Sequence, residues 1–461
     1  MKLSLPLFLS LLSIGSVAST STYLRHLSSK SRSSKSKSSS QSRGRSSKSS
    51  KSQPEWYSPS VSSVYMMTNE PINEILIFSR NDSSGKLDFV NAVRSNGSGL
   101  QLSGGTALSP PTDDPLASQD SLVVAGNCLL AVNAGSNTVS SFRINSARDI
   151  SFVETVDSGG EIPVSIAVNE DLVYVLNAGG VGSIAAFSLF HFNCKLTSIG
   201  DPIELSQTFE SASGPPSLPF FPASPAQIGF TPENNLLVTI KANGAQDGDG
   251  SFPSNGSLNV YKLDKNGLTS AKDLTQTEVP NNSIPFSFAF DDEGQLLVAE
   301  AFGAAGVPNV EAGGSVSLYN DLDSFIPTIE SEVTTTEVTT CWIRYNPKKA
   351  CAFTTNNGGG SISSMKVRDG KLHLVEDVAA QLDTPIDFDF SSDYEFLYAL
   401  STGHLLSDDL ALRQPAIFVY KISSDCGLEK IQEITEGIPT EADRELNSLG
   451  VVNGVVGLAI F

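Results

Sequence analysis

The chain repeats one strand–turn–strand unit seven times. Its clearest copy, residues 127–144, reads NCLLAVNAGSNTVSSFRI: a short apolar strand, a polar turn that begins at Asn133, and a second strand with alternating apolar residues. Related copies begin at Tyr65, Tyr174, Leu237, Leu297, Phe353 and Leu397. A repeat of roughly 40–50 residues, built from strands and turns, is typical of a propeller blade. The sequence therefore predicts an all-β fold, a seven-bladed β-propeller.

A further strand precedes most of these units. It begins with a proline or, in one case, a cysteine. The stretch from that residue to the polar turn is long enough for two antiparallel strands around a tight turn, namely this further strand and the apolar strand of the unit. These first residues are Pro163, Pro225, Pro285, Cys341 and Pro385. Each blade is therefore predicted to have four strands. The first blade lacks its innermost strand, and the apolar C-terminal segment 450–461 is predicted to supply it, which would leave no exposed sheet edge.

The N-terminal region differs from the rest of the chain. Residues 1–18 carry Lys2, an apolar run and a Ser-Val-Ala cleavage site, which predicts a secretory signal peptide. Residues 19–58 are rich in Ser, Lys and Arg and cannot bury apolar surface, so we expect a disordered arm, with the propeller over 59–461. The arm can be read as a flexible spacer, or as a cationic segment that binds acidic polysaccharide or mineral.

Charge and patterning limit the partners of the predicted propeller. All 50 acidic residues lie at Glu55 or later, after the basic run of residues 23–53, and the formal net charge of the whole chain is −20. An acidic surface repels nucleic acid, so we expect no nucleic-acid partner, and no later run is long enough for a membrane span. We predict a secreted monomer. Four Asn-x-Ser sequons, which suit a secreted glycoprotein, begin at Asn81, Asn96, Asn255 and Asn281.

The five cysteines are too few for a disulfide scaffold. Cys128 and Cys351 occupy equivalent places in two blades, and Cys194 and Cys426 both lie in a turn after the polar-turn unit. Only Cys341 and Cys351 fall within one predicted blade, on neighbouring strands. The sequence leaves two alternatives for that pair, a disulfide or two buried thiols.

Several segments carry a family resemblance. They are VYMMTN, PLASQDSLVVAGNCLLAVNAGSNTVSSFRI, PVSIAVNEDLVYVLNAGG, PAQIGF, FAFDDEGQLLVAEA and CWIRYNPKKACAFTTNNGGGSISS. They resemble the lactonase-type seven-bladed propellers, which include 6-phosphogluconolactonases and 3-carboxymuconate cyclases. The resemblance runs from about Val64 to Phe461. It implies metal-independent chemistry on small acids or lactones at the mouth of the central channel, with no cofactor.

One polar or charged residue of each blade is predicted to contribute to a collar around that mouth. The set is Asn69, Asn133, Asn177, Lys241, Glu300, Asn356 and Ser401. The Asn and Ser side chains could bind a substrate, or they could cap their own turns and tie strands together. Lys241 and Glu300 interrupt the neutral series in consecutive blades and could form an ion pair oriented for acid–base work.

Lactone hydrolysis needs a base that activates water and donors that hold the oxyanion. We assign Glu300 as the base, Lys241 as a donor and His404 as a proton shuttle. Few cations lie near the collar, so a neutral or monoanionic lactone or organic acid fits better than a phosphorylated or tricarboxylate substrate. The predicted function is that of a lactonase-like or cycloisomerase-like enzyme. The alternative function is a non-catalytic extracellular binding propeller tethered by its basic arm. No Cys/His spacing indicates zinc, and we expect no metal.

Overall fold

The computed structural model describes residues 62–100, 116–205, 223–242, 255–279, 283–301, 314–320, 328–403, 414–439 and 455–461. All of them belong to one compact unit, Ser58–Phe461. Seven four-stranded antiparallel sheets make up this unit. Their innermost strands contact one another in sequence, and the last contacts the first. The ring is closed, so the predicted seven-bladed propeller is confirmed.

Each blade is named from the channel outward as strands a, b, c and d. Blade 1 holds β1 (Ser62–Met67), β2 (Glu74–Arg80) and β3 (Leu87–Arg94) as b, c and d, with β28 (Val456–Ile460) as a. Blade 2 holds β4 (Leu122–Ala125), β5 (Cys128–Asn133), β6 (Thr138–Ser146) and β7 (Asp149–Asp157). Blade 3 holds β8 (Pro163–Asn169), β9 (Leu172–Asn177), β10 (Ser183–Phe190) and β11 (Lys195–Glu204).

The other four blades follow the same order. Blade 4 holds β12 (Pro225–Phe230), β13 (Leu236–Ile240), β14 (Ser257–Tyr261) and β15 (Leu274–Glu278), with a 3-10 turn at Ala271–Asp273. Blade 5 holds β16 (Pro285–Phe290), β17 (Leu296–Glu300), β18 (Ser315–Asn320) and β19 (Thr328–Thr334). Blade 6 holds β20 (Thr340–Asn346), β21 (Cys351–Asn356), β22 (Ser361–Arg368) and β23 (Lys371–Gln381). Blade 7 holds β24 (Pro385–Phe390), β25 (Phe396–Ser401), β26 (Ala416–Ile422) and β27 (Leu428–Ile434).

Burial falls from the inner to the outer strands. Every residue of β5 is buried, whereas β11 has one buried residue, two half-buried residues and seven exposed ones. Strands a to c pack against neighbouring blades on both faces, so they are buried along most of their length, and strand d is the half-solvated strand of each blade. The core therefore lies between the blades.

The C-terminal strand closes the ring as predicted. In β28, Ile460 pairs with Val64, Ala459 with Tyr65, and Leu458 with Met66, all antiparallel to β1. The first blade thus combines the two ends of the described chain, and no inner strand of that sheet is missing.

The inner strands have no neighbour on the channel side, so side chains satisfy part of their backbone. In four blades a polar residue near the middle of strand a accepts a hydrogen bond from the strand a backbone of the next blade. The pairs are Ile228 N to Ser165 Oγ (3.2 Å), Phe288 N to Gln227 Oε1 (2.7 Å), Ile343 N to Ser287 Oγ (2.8 Å) and Leu458 N to Asp387 Oδ2 (3.0 Å). These contacts join consecutive blades around the channel.

Two disulfides join neighbouring blades farther out, and the predicted alternatives for Cys351 are both wrong. Cys351 bonds to Cys426 of blade 7, and Cys128 bonds to Cys194, which links blades 2 and 3. Cys341 is a buried thiol outside both bridges. The register explains the error: Cys351 pairs with Asn346 at one end of the β20–β21 hairpin, whereas Cys341 lies at the other end. Each disulfide instead joins a cysteine of strand b to a cysteine in the c–d turn of the next blade.

Two tyrosines occupy the corresponding place at other blade junctions. Tyr174 donates to the Gly267 carbonyl (2.7 Å) between blades 3 and 4, and Tyr398 donates to the Gly85 carbonyl (2.9 Å) between blades 7 and 1. Gly85 has a φ of +70°, and a Cβ there would lie 2.4 Å from the Phe396 ring. Only glycine fits this approach.

Within the described residues, no helix has the length and apolar character that a membrane crossing would require.

Candidate functional site

The predicted collar lies at the face where strands a begin and strands b end, here called the b-end face. Asn177 pairs with Pro163, Glu300 with Pro285, Asn356 with Thr340, and Ser401 with Pro385. Asn133 likewise ends β5. The regular repeat of strand and turn lengths brings these five positions to one end of the propeller.

Three collar asparagines have amide groups that are engaged by nearby strands, both within their own blade and across to the preceding one. Each Nδ2 donates to hydroxyls at the start of strand c or to a nearby carbonyl. Asn133 contacts Thr138 (3.2 Å) and Ser140 (2.8 Å), Asn177 contacts Ser183 and the Ser158 carbonyl (both 3.2 Å), and Asn356 contacts Ser361 (2.9 Å) and Ser363 (2.8 Å). Across the junction, Asn133 Oδ1 accepts hydrogen bonds from Asn73 Nδ2 (3.0 Å) and Ser95 Oγ (2.6 Å) of blade 1, and the Ser158 carbonyl that Asn177 binds follows strand d of blade 2. All three side chains are buried. This arrangement favours the interpretation of these asparagines as ties between strands.

The other two neutral members are placed differently. Asn69 lies beyond the end of β1 with a φ of 51°, and its Oδ1 accepts a hydrogen bond from Leu100 N (2.9 Å). Ser401 donates to the carbonyl of Asp383. Both side chains therefore bind backbone atoms of loops at the b-end face.

Glu300 is a buried carboxyl held by three hydroxyls. Its Oε2 accepts hydrogen bonds from Ser315 (2.7 Å) and Ser317 (2.9 Å), and its Oε1 accepts one from Tyr319 (3.2 Å). The residue is 2% exposed. Burial raises the pKa of Glu300 above its ordinary value, and the three hydroxyls only partly offset that effect. The raised pKa favours the protonated form, and a carboxyl whose pKa is shifted in this way is a candidate acid–base group.

Lys241 does not occupy the position equivalent to Glu300. In blade 4, Ile240 pairs with Pro225 and Ser257, as Glu300 pairs with Pro285 and Ser315 in blade 5. Lys241 comes one residue later, and a one-residue shift moves a side chain to the opposite face of a sheet.

Because of that shift, the Lys241 ammonium turns away from strand c. It donates to the Ala117 carbonyl (2.7 Å) and lies 5.1 Å from the centre of the Phe286 ring. Glu300 is instead bound by the hydroxyls of its own blade. The expected ion pair between these two described side chains is absent, so that prediction is wrong.

His404 and the sequon at Asn281 lie outside the described residues, so their predicted roles stay predictions. Of the other sequons, Asn81 and Asn96 are exposed and Asn255 is half-buried.

A segment that precedes β4 lies in the central channel. Residues 116–121, here called the channel strap, contact strand a of several blades. Trp342 Nε1 donates to the Ser118 carbonyl (2.9 Å), Gln119 N donates to Ala226 O (3.2 Å), and Ile166 N donates to Asp120 O (2.8 Å). These partners belong to blades 6, 4 and 3, so the strap crosses the space that their inner strands enclose.

The strap has an unusual backbone. Ala117 and Asp120 have φ values of 48° and 63°, in the left-handed region that non-glycine residues seldom occupy. Gln119 exchanges two hydrogen bonds with the backbone of Ile343, each 3.2 Å. The hydrogen bonds between the strap and the inner strands can hold the unfavourable backbone conformation of Ala117 and Asp120.

A charged cluster anchors the strap at Asp120. The Arg344 guanidinium lies 2.8 Å from Asp120, 3.7 Å from Asp387 and 3.7 Å from Asp389, and Gln227 Nε2 donates to Asp120 Oδ2 (2.8 Å). Burial raises the pKa of Asp387 to about 7 despite the opposing effect of Arg344. Three carboxyls already engage Arg344, which leaves it poorly suited to bind an anionic substrate.

Sequence reasoning missed the strap and this cluster. A signal was present: residues 118–121, SQDS, are four consecutive polar residues directly before an apolar strand. Their partners Arg344 and Asp387 are distant in the chain, and only the closed ring brings them together. Among the described residues, no three His, Cys, Asp or Glu side chains are arranged to hold a metal ion.

No protein-family model matches the chain, and no curated protein is recognisably similar to it in sequence. Solved structures do resemble it. One from Bacteroides fragilis, provisionally assigned as a 6-phosphogluconolactonase, has a TM-score of 0.58 and 16% identity, covering 87% of this chain and 98% of its own. A second provisional 6-phosphogluconolactonase, from Bacteroides uniformis, has a TM-score of 0.57 and 16% identity, covering 87% and 99%.

The periplasmic gluconolactonase of Pseudomonas aeruginosa has a TM-score of 0.54 and 14% identity, covering 83% of this chain and 98% of that one. At these identities the likeness shows the fold. The chain has the architecture of the lactonase-type seven-bladed propellers that its sequence motifs resemble.

Proposed function

We propose that the protein is a secreted, metal-independent hydrolase that opens a small lactone at the b-end face, with Glu300 as general base. The observation that carries the proposal is the buried Glu300 carboxyl with its raised pKa and its three hydroxyl donors. Buried carboxyls with raised pKa values are frequent among acid–base groups of enzymes. The likeness to gluconolactonase structures supports the same chemistry.

In this proposal Glu300 takes a proton from the water that attacks the lactone carbonyl carbon. When the ring C–O bond breaks, the same carboxyl returns the proton to the leaving oxygen, and the product is a hydroxy acid. Since Glu300 is 2% exposed, it exchanges this proton through a neighbouring hydroxyl or one water molecule. Lys241, which holds the channel strap, acts as a positioning residue, and His404 keeps its proposed role as proton shuttle.

The charge of the described residues favours a neutral lactone. Arg344 is surrounded by Asp120, Asp387 and Asp389, and the Lys241 ammonium contacts the Ala117 carbonyl. Neither is presented to bind a phosphate or several carboxylates. We therefore propose a neutral or monoanionic lactone rather than a phosphorylated one.

Secretion is supported by the two disulfides and by the exposed sequon residues Asn81 and Asn96. Disulfides persist in oxidising compartments and are rare in the cytosol. We retain the proposal that residues 1–18 are a signal peptide, that 19–58 form a basic arm able to bind acidic polysaccharide or mineral, and that the propeller is a monomer.

A lactone panel tests this function. The purified protein is incubated with neutral γ- and δ-aldonolactones and with a 6-phosphorylated lactone, and acid release is followed at constant pH. We expect turnover of at least one neutral lactone and little of the phosphorylated one. Absence of turnover with every lactone would contradict the proposal.

A second function is favoured by a different observation. The Nδ2 groups of three collar asparagines are engaged by neighbouring strands, and the channel strap occupies the centre of the ring. A propeller whose channel is filled by its own chain is suited to serve as an extracellular binding scaffold. Under this alternative the protein binds a ligand on its outer surface and hydrolyses none of the lactones.

A further inference from the structure

A groove lies between blades 3 and 4 at the face opposite the b-end face. Its volume is about 360 Å³, at the lower end of the range of small-ligand pockets. The a–b turn of blade 3 forms one wall, through Asn169 and Asp171, and the turns of blade 4 form the other, through Asn234 and Asp264. All of the residues that line it are described.

The floor of the groove is apolar. Leu172, Ile199, Phe230 and Leu263 contribute to it, and each is half-buried, so part of each side chain remains accessible. The Phe230 ring is fixed edge-on against Tyr174, with 6.1 Å between ring centroids. Tyr174 in turn donates to the Gly267 carbonyl (2.7 Å), which holds the two walls together. A preformed floor lowers the entropy cost of binding.

The rim offers both donors and acceptors. Asn169 Nδ2 donates to Asn234 Oδ1 (2.9 Å) across the groove. Each amide has a second polar atom, Asn169 Oδ1 and Asn234 Nδ2, which is the donor and acceptor pair that a hydroxyl group needs. Asp264 is fixed by the backbone N–H groups of Asn266 (2.8 Å) and Leu268 (2.9 Å), and these hydrogen bonds lower its pKa.

We propose that this groove is a binding site for a neutral polyhydroxylated ligand, namely a pyranose sugar, either free or as a unit of an oligosaccharide. Amide and carboxylate groups around an accessible apolar floor match the two kinds of surface of a sugar ring, its hydroxyls and its C–H face. This site is separate from the proposed lactone site and does not depend on it.

The charge of the lining decides the class of ligand. Glu170, Asp171 and Asp264 line the groove, and the lining includes no Lys, Arg or His. Three carboxylates with no cation repel an anionic ligand, so a sugar acid or a sugar phosphate does not fit. A neutral sugar can donate its hydroxyls to the same carboxylates.

Saturation-transfer NMR on the full chain tests the proposal. The probes are glucose, galactose, mannose, maltose and lactose, with glucuronate and glucosamine as charged comparators. We expect transfer to the ring protons of at least one neutral sugar and none to glucuronate. Stronger transfer to the disaccharides would identify an oligosaccharide unit as the ligand, and equal transfer would identify the free monosaccharide.

The informative variant is Asn234→Gly. Asn234 has a φ of 61°, and the corresponding turn residue of blade 5 is Gly294 with a φ of 79°, so glycine keeps the backbone and removes the amide. The matched control is Asp369→Gly, at an exposed turn residue with a φ of 54° on blade 6. We expect about fivefold weaker sugar binding for Asn234→Gly, the value of one hydrogen bond, and unchanged binding for the control.

Three results would overturn the site. They are no transfer to any neutral sugar, equal binding by the two variants when both keep the wild-type melting temperature, and binding of glucosamine alone. If Asn234→Gly lowers the melting temperature, Asn169→Ala replaces it, because that change removes the partner amide at a strand end.

Discussion

Blades 4 and 5 share a framework: a proline-led strand a, a five-residue strand b, and a strand c that runs from serine to tyrosine, SLNVY in β14 and SVSLY in β18. At the end of strand b they differ. Glu300 accepts hydrogen bonds from Ser315, Ser317 and Tyr319, whereas Ile240 offers no acceptor to the equivalent residues of blade 4.

The charged residue of blade 4, Lys241, comes one position later and binds the channel strap. In a strand of period two, one position decides which face receives the side chain. The same framework therefore holds a buried carboxyl in blade 5 and an anchor for the channel strap in blade 4.

The largest effect is expected for Glu300→Ala. The variant leaves three buried hydroxyls without their acceptor, and we expect a loss of about 3 kcal/mol in the free energy of unfolding. Denaturant unfolding measures it. Glu300→Gln, which keeps an acceptor oxygen, is the control and should lose about 1 kcal/mol. Equal losses in the two variants would show that the hydroxyl cluster does not distinguish blade 5 from blade 4.

Asp120→Asn tests the anchor of the strap on the inner strands. Asparagine tolerates the positive φ of Asp120, so the change keeps the backbone but removes the charge opposite Arg344 and one of the two oxygens that accept hydrogen bonds. Breaking a partly buried ion pair should cost about 2 kcal/mol. The control is Asp171→Asn, whose side chain is 79% exposed. A loss no larger than that of the control would mean that the strap is held by its backbone contacts alone.

Lys241→Met should have a smaller effect. Methionine keeps contact with the Phe286 ring but leaves the Ala117 carbonyl without its donor, at a cost of about 1 kcal/mol. The decisive readout is hydrogen exchange of the strap amides, which should become faster in this variant and remain unchanged in Glu300→Gln. Faster exchange in both would contradict the separate roles of the two blades.

The last prediction concerns pH. Burial raises the pKa of Asp387 to about 7 and also raises that of Glu300, so the folded protein binds protons that the unfolded chain releases. The contribution of Asp387 to stability is complete below about pH 4 and is lost as the pH rises through about 7. The contribution of Glu300 is likewise lost as the pH rises through its own raised pKa.

We therefore expect the free energy of unfolding to fall between pH 5 and pH 8, by less than about 1.4 kcal/mol per pH unit for each group. The melting temperature should fall with it. Asp387→Asn should flatten this dependence. A melting temperature that rises with pH over the same window would contradict the assignment.

Much of the fold could be predicted from the sequence because its strands and turns depend on local patterns of residues. Proline-led strands, polar turns and apolar runs recur along the chain, and they locate all seven blades and the closing strand β28. The positions of Asn133, Asn177, Glu300 and Asn356 at one face follow from the same spacing.

The remaining features depend on contacts between distant parts of the chain or on one-residue offsets. The strand β13 ends at Ile240, so the spacing alone assigned Lys241 to the wrong face. The disulfide partners of Cys128 and Cys351 lie in the next blade, 66 and 75 residues later. The channel strap satisfies inner strands of blades 3, 4 and 6, and no local pattern identifies those partners.

The most direct test of the proposed function compares the wild-type protein with Glu300→Gln on a neutral lactone at constant pH. Glutamine keeps the shape and an acceptor for the hydroxyls of blade 5 but cannot take a proton. The account predicts a loss of at least about 100-fold in kcat, the usual contribution of a general base, with folding retained. Hydrolysis by both proteins at the same rate would contradict the role of Glu300.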